Sequence, residues 1–265
     1  MKVFISADIE GITGVTDWNE TELGHAEYEA AREQMTAEVA AACEGALYAG
    51  ASEVWVKDSH DSARNLIAGK LPKETRLVRG WSGHPYMMLQ GLDDTFQAVL
   101  QVGYHSGAGT GRSPLEHTLS GNVWKIHLNG RSMSEFYIDA CTAAYVGVPL
   151  VFTSGDQGIC DEASALNPHI TTVAVKQGMG NATVSIHPEV AVSRIRDGVA
   201  QALSGELDLC RISLPKQFTL QIEYRRQAHA TQWSYFPGVK RVDATTIQLE
   251  TADYFEVLRL LSFAT

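Results

Sequence analysis

Basic residues are scarce in this chain, with 21 Lys and Arg against 31 Asp and Glu over 265 residues and a formal net charge of -10 at pH 7. A surface of that sign repels a phosphate backbone, so nucleic acid is excluded as the main partner while a cationic ligand is tolerated. Long apolar runs are missing as well. None approaches the roughly 20 residues that span a bilayer, so no membrane partner is expected. Met1 and Lys2 lead straight into a strand pattern, with no apolar stretch ending in a small-residue cleavage site. Cysteine is sparse and scattered. Cys43, Cys141, Cys160 and Cys210 form no close pair, which excludes a zinc knuckle or a Cys-x-x-Cys redox motif. Cys43 and Cys141 sit in apolar helical patterns and read as buried thiols, and the expected home is a reducing cytoplasm. There is no phosphate-binding Gly-x-x-x-x-Gly-Lys loop, no His-Glu-x-x-His helix and no Gly-x-Ser-x-Gly elbow. The Gly107–Gly111 stretch follows a strand but runs into Arg112-Ser113-Pro114 instead of a helix, so it reads as an active-site loop and not a dinucleotide fingerprint. No Pro/Ser-rich linker, charge run or short repeat divides the chain.

What is present is a regular alternation. At 45% hydrophobic and 20% charged, the composition is that of an ordinary globular protein. An apolar strand pattern over Lys2–Ala7 precedes a long Ala- and Glu-rich helical pattern stopped by Gly50. A second strand ends at Asp58-Ser59-His60-Asp61, "YMMLQGL" reads as a short helix, and a third strand, "AVLQVGYH", ends on His105. "VWKIHL" closes with the turn pair Asn129-Gly130, and Met133–Val146 is helical, with Ser132 or Ser134 as N-cap. Further strand and helix patterns follow to the end. Strands alternating with helices predict an α/β fold, three-layered αβα with a largely parallel sheet. The expectation is one domain over residues 1–265, with an elaboration after about Lys176.

The chemistry gathers at strand ends. Asp8 and Glu10 follow the first strand, His60 the second and His105 the third, and Glu135 lies in the first turn of a later helix. Ligands of open parallel sheets bind outside the carboxyl ends of the strands, so a metal site is expected at the ends of these first three strands. Five nitrogen and oxygen donors without thiolate suit two divalent ions better than one. Zinc is the default, with manganese or cobalt as alternatives. Each residue also has a plainer reading: Asp8 or Glu10 as a turn or capping group, Asp58-Ser59-His60 as a hydrogen-bonded turn, His105 as a core histidine, and Glu135 as a helix N-terminal charge. Only their coincidence favours metal. His25, His84, His127, His169, His187 and His229 lack such company and read as structural or surface groups. His117 leaves the loop that starts at His105 and can approach the cluster.

The segments "SADIEG" (Ser6–Gly11), "KDSH" (Lys57–His60), "GLDDTF" (Gly91–Phe96), "GYH" (Gly103–His105) and "AVKQ" (Ala174–Gln177), in this order, resemble the zinc-dependent D-aminopeptidases of the DppA type. The resemblance runs along nearly the whole chain. It implies a paired zinc site on Asp8, Glu10, His60, His105 and Glu135, a catalytic role for His117, and a single metallopeptidase domain. It further implies that short peptides with a free amino terminus are cut after a first, D-configured residue, and that the protein forms a homo-oligomer, a decamer with an inner chamber. One departure stands out: Glu116 precedes His117 where the family has a small or hydroxyl residue, which bears on the substrate pocket. The alternatives are a two-metal phosphoesterase or other amidohydrolase, for which Lys57, Arg64 and Arg112 would supply positive charge, and a peptide-binding protein with a structural metal site.

Overall fold

A computed structural model describes residues 1–265. The chain folds into strands β1 (Lys2–Ala7), β2 (Glu53–Asp58), β3 (Thr75–Val78), β4 (Ala98–Tyr104), β5 (Val123–Leu128), β6 (Arg131–Ser132), β7 (Leu150–Asp156), β8 (Thr171–Met179), β9 (Ala182–Ser185), β10 (Phe218–Tyr224), β11 (Val239–Arg241) and β12 (Thr246–Thr251). The helices are α1 (Tyr28–Tyr48), α2 (Glu135–Val146), α3 (Gln157–Leu166), α4 (Pro188–Ser204), α5 (Gln227–Trp233) and α6 (Tyr254–Ala264). Seven strands form a sheet in the order β3-β2-β1-β4-β7-β8-β9, parallel except for β9. Its central strands β1, β4 and β7 are apolar runs buried on both faces, as a parallel sheet covered by helices requires. α1 and α4 pack together on one face and α2 and α3 lie against the other, giving the expected αβα layers. No helix is long and apolar enough to cross a membrane.

Two differences from the sequence reading matter. The short β3 at the sheet edge was not foreseen, because its residues are partly exposed and carry no apolar alternation. The strand ending at His105 is therefore the fourth, β4. The second difference is a separate five-stranded sheet, β11-β12-β10-β5-β6, antiparallel throughout. It covers a core of 19 buried residues beside the main core of 46. The β5–β6 hairpin belongs here, paired to β10 across some ninety intervening residues, so this layer is not simply an addition after Lys176. α2 serves both cores. Phe136, Ala140 and Ala143 face the large one, and Ile138 and Cys141 the small one. Each large side chain buried this way contributes about 1.5–3 kcal/mol, so the helix is gripped from both sides. Ser134 caps it as one of the two foreseen candidates, accepting from the Tyr137 N–H at 3.2 Å, and Glu135 is its first residue.

The topology places the site. From β1 the chain crosses to β2 on one side and later returns to β4 on the other, so strand order reverses between β1 and β4. Such a switch point opens a crevice at the carboxyl ends. Register makes it level: Ala7 of β1 lies beside Asp58 of β2 and Val102 of β4.

Candidate metal centre

Strand β1 stops at Ala7, yet the chain stays against β4: Asp8 N–H donates to Val102 O (2.9 Å) and Gly11 N–H to Gly103 O (2.8 Å). Two glycines permit this approach. A Cβ on Gly11 would lie 1.8 Å from Tyr104 O, and one on Gly103, which has φ +77°, would lie 2.2 Å from Asp8 O. Asp8 and Glu10 lie beyond the end of β1, in this close-packed turn, and both face His60 from there. Lys176, buried on β8, donates from Nζ to the carbonyls of Glu10 and Val15 and ties the turn from the opposite side.

All six foreseen residues converge. Asp8 Oδ1 lies 3.4 Å from His60 Nδ1 and Asp8 Oδ2 lies 3.5 Å from His105 Nε2. Glu10 Oε2 is 3.1 Å from His60 Nδ1, and Glu135 Oε2 is 3.4 Å from His105 Nε2. His117 Nε2 faces both flanks, 3.9 Å from Glu10 Oε1 and 3.6 Å from Glu135 Oε1, and its ring stacks on His105 at 4.3 Å and 7°. The distances define two triads that meet at Asp8, Asp8-Glu10-His60 and Asp8-His105-Glu135, with a third grouping of Glu10, His105 and His117.

Each histidine is oriented from behind by a backbone carbonyl. His60 Nε2 meets Thr21 O at 2.9 Å, His105 Nδ1 meets Ser106 O at 3.0 Å and His117 Nδ1 meets Leu115 O at 3.1 Å. The nitrogen left over points at the carboxylates, which is how ligating imidazoles are commonly aimed. Glu135 also accepts from Leu119 N–H at 2.7 Å. Two facing atoms, Glu10 Oε2 and His105 Nε2, are buried without a hydrogen bond. Buried polar atoms are seldom left so. Five nitrogen- and oxygen-bearing side chains without thiolate, two of them with such atoms, fit a pair of zinc-like ions.

The protonation pattern has the same sense. Burial, then the charge of Glu10, pushes Asp8 up to about 8. Burial opposes ionisation of Glu10 and Glu135 too, but the neighbouring His60 and His105 outweigh it and hold both carboxyls below the usual range. Burial likewise works against charge on His105, yet Glu135 beside it raises this imidazole to about 10, and Glu10 raises His60 well above its ordinary value. With no cation among them, the side chains of this cluster hold protons that a metal ion would displace.

The cluster opens into a cavity of about 660 Å³, bounded on its other sides by Trp18, Trp81, Met87, Met88 and Leu119. No Lys or Arg lines it. Lys57 is buried with its Nζ on Asp58 O, Arg112 pairs with Asp161, and Arg64 is exposed elsewhere. Glu116 is engaged by its own loop, accepting from Thr110 Oγ1 (2.7 Å) and Arg112 N–H (3.1 Å), and is not among the residues lining the cavity. His84, which carried no functional signal in sequence, does line it. Sequence reasoning also missed Trp18, Thr21, Trp81 and Lys176. "AVKQ" flagged the last only as a family segment, and a carbonyl such as that of Thr21 leaves no trace in residue type.

The family model described as D-aminopeptidase, peptidase family M55, matches residues 1–263. The D-aminopeptidase of Bacillus subtilis (strain 168) is 32% identical over 263 residues, covering 98% of this chain and 95% of that protein. A solved structure, that of the Zn-dependent D-aminopeptidase DppA from Bacillus subtilis, a self-compartmentalizing protease, superposes with a TM-score of 0.94 at 32% identity, over 100% of this chain and 96% of that one.

Proposed function

This chain belongs to the M55 D-aminopeptidase family, and on that premise we propose that it removes the first residue, preferentially a D-residue, from short peptides with the help of two zinc ions. The observation that carries this reading is Asp8, whose two oxygens face His60 and His105 on opposite sides and so form the hinge of two ligand triads. Asp8, Glu10 and His60 would hold one ion, and Asp8, His105 and Glu135 the other. Bound there, the ions supply an activated water near neutral pH and polarise the scissile carbonyl.

The remaining work falls to the protein. His117, its Nδ1–H donated to Leu115 O and its ring stacked on His105, presents Nε2 above the cluster; as the imidazolium it can donate from Nε2 to the developing oxyanion and pass that proton to the leaving amine, returning to the neutral ring. Glu10 and Glu135 flank that nitrogen and hold its ring toward the cavity. The carboxylates of Glu22 and Asp61 on the cavity wall favour a substrate bearing a free, cationic amine. Because α2 is shared by both cores and carries Glu135, we treat residues 1–265 as one catalytic unit. The self-compartmentalizing relative supports a closed homo-oligomer for this chain, which we take to be a decamer. A phosphoesterase is disfavoured because no Lys or Arg lines the cavity, and a purely structural metal site because a cavity and His117 stand before the cluster.

Matched D- and L-alanyl dipeptides, incubated with the metal-replete protein and resolved by chromatography, test the reading. Release of the first residue, faster in the D-series and abolished by chelator, is the expected result. Faster turnover of the L-series, turnover of N-blocked peptides, or full activity in chelator overturns it.

Metal uptake should also release protons. At pH 7 the raised Asp8 and His105 are protonated in the ion-free protein, whereas ligation requires both deprotonated. About two protons per chain should therefore leave these two groups when zinc is titrated into chelator-stripped protein. Affinity should climb about tenfold per pH unit per released proton, with the Asp8 contribution levelling off above about pH 8. Calorimetry in buffers of different ionisation enthalpy measures this. Heats independent of the buffer would contradict it.

A further inference from the structure

Two tryptophans stand in front of the cluster, each held by a neighbouring group and each with much of its ring open. Trp81 donates from Nε1 to the carbonyl of Asp61, the residue after His60, at 2.6 Å. The buried ammonium of Lys57 lies 3.8 Å from its ring centroid and braces the indole. Trp18 meets His117 edge-on, with ring centroids 5.2 Å apart and planes at 72°. Both residues nevertheless remain about two-fifths exposed, at 44% for Trp81 and 42% for Trp18, and both line the same cavity. Two held but open indoles beside a reactive centre form a surface for an apolar ligand group.

Backbone strain concentrates on the same wall. Non-glycine residues at positive φ number five in the chain, and three of them, Asp61 (42°), Met87 (45°) and Leu119 (63°), line the cavity. L-residues held in the left-handed region cost free energy and tend to gather at binding sites. Leu119 gains from it the bond of its N–H to Glu135, and Met87 lies on the apolar wall next to Met88. Glu22 and Asp61 place carboxylates on the cavity wall and no Lys or Arg lines it, so an anionic side chain is disfavoured there.

We propose that Trp18, Trp81, Met87, Met88 and Leu119 form the subsite for the side chain of the substrate's first residue, and that it selects large apolar side chains, aromatic ones above all. This rests on the aminopeptidase reading. A scissile carbonyl held at the cluster leaves the first side chain a few ångströms away, within reach of rings that touch His117 and the segment after His60. Trp81 is the specificity-determining residue, and Lys57 positions it.

The experiment uses zinc-loaded protein and the amides of D-Ala, D-Leu and D-Phe, with tryptophan fluorescence during titration by D-phenylalaninol, an amine that cannot be hydrolysed. kcat/KM should rise with side-chain size, D-Phe exceeding D-Ala by about tenfold or more. Trp81→Ala should raise KM for the D-Phe amide about tenfold and that for the D-Ala amide less than about twofold. Trp81→Phe should keep the preference while losing most of the quenching by D-phenylalaninol, which separates a contact with ligand from a defect in folding. Equal kcat/KM across the series, equal effects of Trp81→Ala on both amides, or a size preference that follows the second residue of dipeptides would overturn the subsite. Saturable quenching without hydrolysis of any amide would instead overturn the aminopeptidase reading and leave the subsite standing.

Discussion

Asp8→Ala is expected to bind neither zinc ion stably and to lose about 1,000-fold or more in kcat/KM, whereas Glu10→Ala keeps one ion. The arithmetic follows from the two triads that meet at Asp8. Removing Asp8 leaves two side chains for each ion, Glu10 with His60 and His105 with Glu135, below the three protein ligands a catalytic zinc usually takes. Removing Glu10 leaves Asp8, His105 and Glu135 intact. Loss of Lewis-acid stabilisation amounts to several kcal/mol, or about three powers of ten in rate. The variant should still fold. Burial and the charges of Glu10 and Glu135 disfavour ionised Asp8, pushing it up to about 8, and a group raised in the folded state weakens the fold as pH climbs from its unfolded value toward 8. Asp8→Ala removes that penalty, so the metal-free variant should be at least as stable as metal-free wild type at pH 8. Elemental analysis and urea unfolding of the two variants side by side decide the matter. Loss of a single ion in both would refute the bridging role of Asp8.

His117→Ala should show the opposite dissociation, with full metal content but kcat lower by about 100- to 1,000-fold. That range is the usual cost of deleting a positioned proton donor or an oxyanion partner. The geometry distinguishes His117 from the other two histidines. Its Nε2 stands 3.6 and 3.9 Å from the outer oxygens of Glu135 and Glu10, and its side chain keeps 18% exposure toward the cavity where His105 has none. Leu115 O on Nδ1 leaves Nε2 as the working atom. His117→Gln, which retains a donor of similar reach, should recover part of the loss. If His117→Ala sheds an ion, the grouping of Glu10, His105 and His117 is a true ligand set and the assignment of ligands changes. An unchanged kcat would make His117 an ordinary loop residue.

The parts of the site that lie at the ends of apolar runs were legible without coordinates. Asp8, Glu10, His60 and His105 each interrupt or end a buried strand, and a titratable group at that position is a local signal that composition and spacing carry. Glu135 could be placed in a first helical turn and counted as a fifth donor, and His117 set near the cluster, but a catalytic role for His117 came only with the family resemblance. The positions of both depend on where α2 and the loop before it come to rest, and α2 is placed by two cores whose residues lie far apart in the chain. Trp18, Thr21 and Trp81 gave no signal. Their roles depend on a carbonyl's direction, a ring's packing and a buried lysine brought in from a neighbouring strand.

By itself the sequence determined the α/β alternation, the parallel sheet, the acidic surface and the thiolate-free donors at strand ends, because side-chain periodicity and strand termination are properties of a few adjacent residues. Tertiary structure alone decided that strand order reverses between β1 and β4, that β5 leaves the main sheet to pair with β10, and that two tryptophans line the same cavity as the carboxylates and histidines. Strand partners and cavity walls are chosen by hydrogen-bond ladders and packing between residues tens of positions apart, and no local pattern encodes which of several compatible partners will be met.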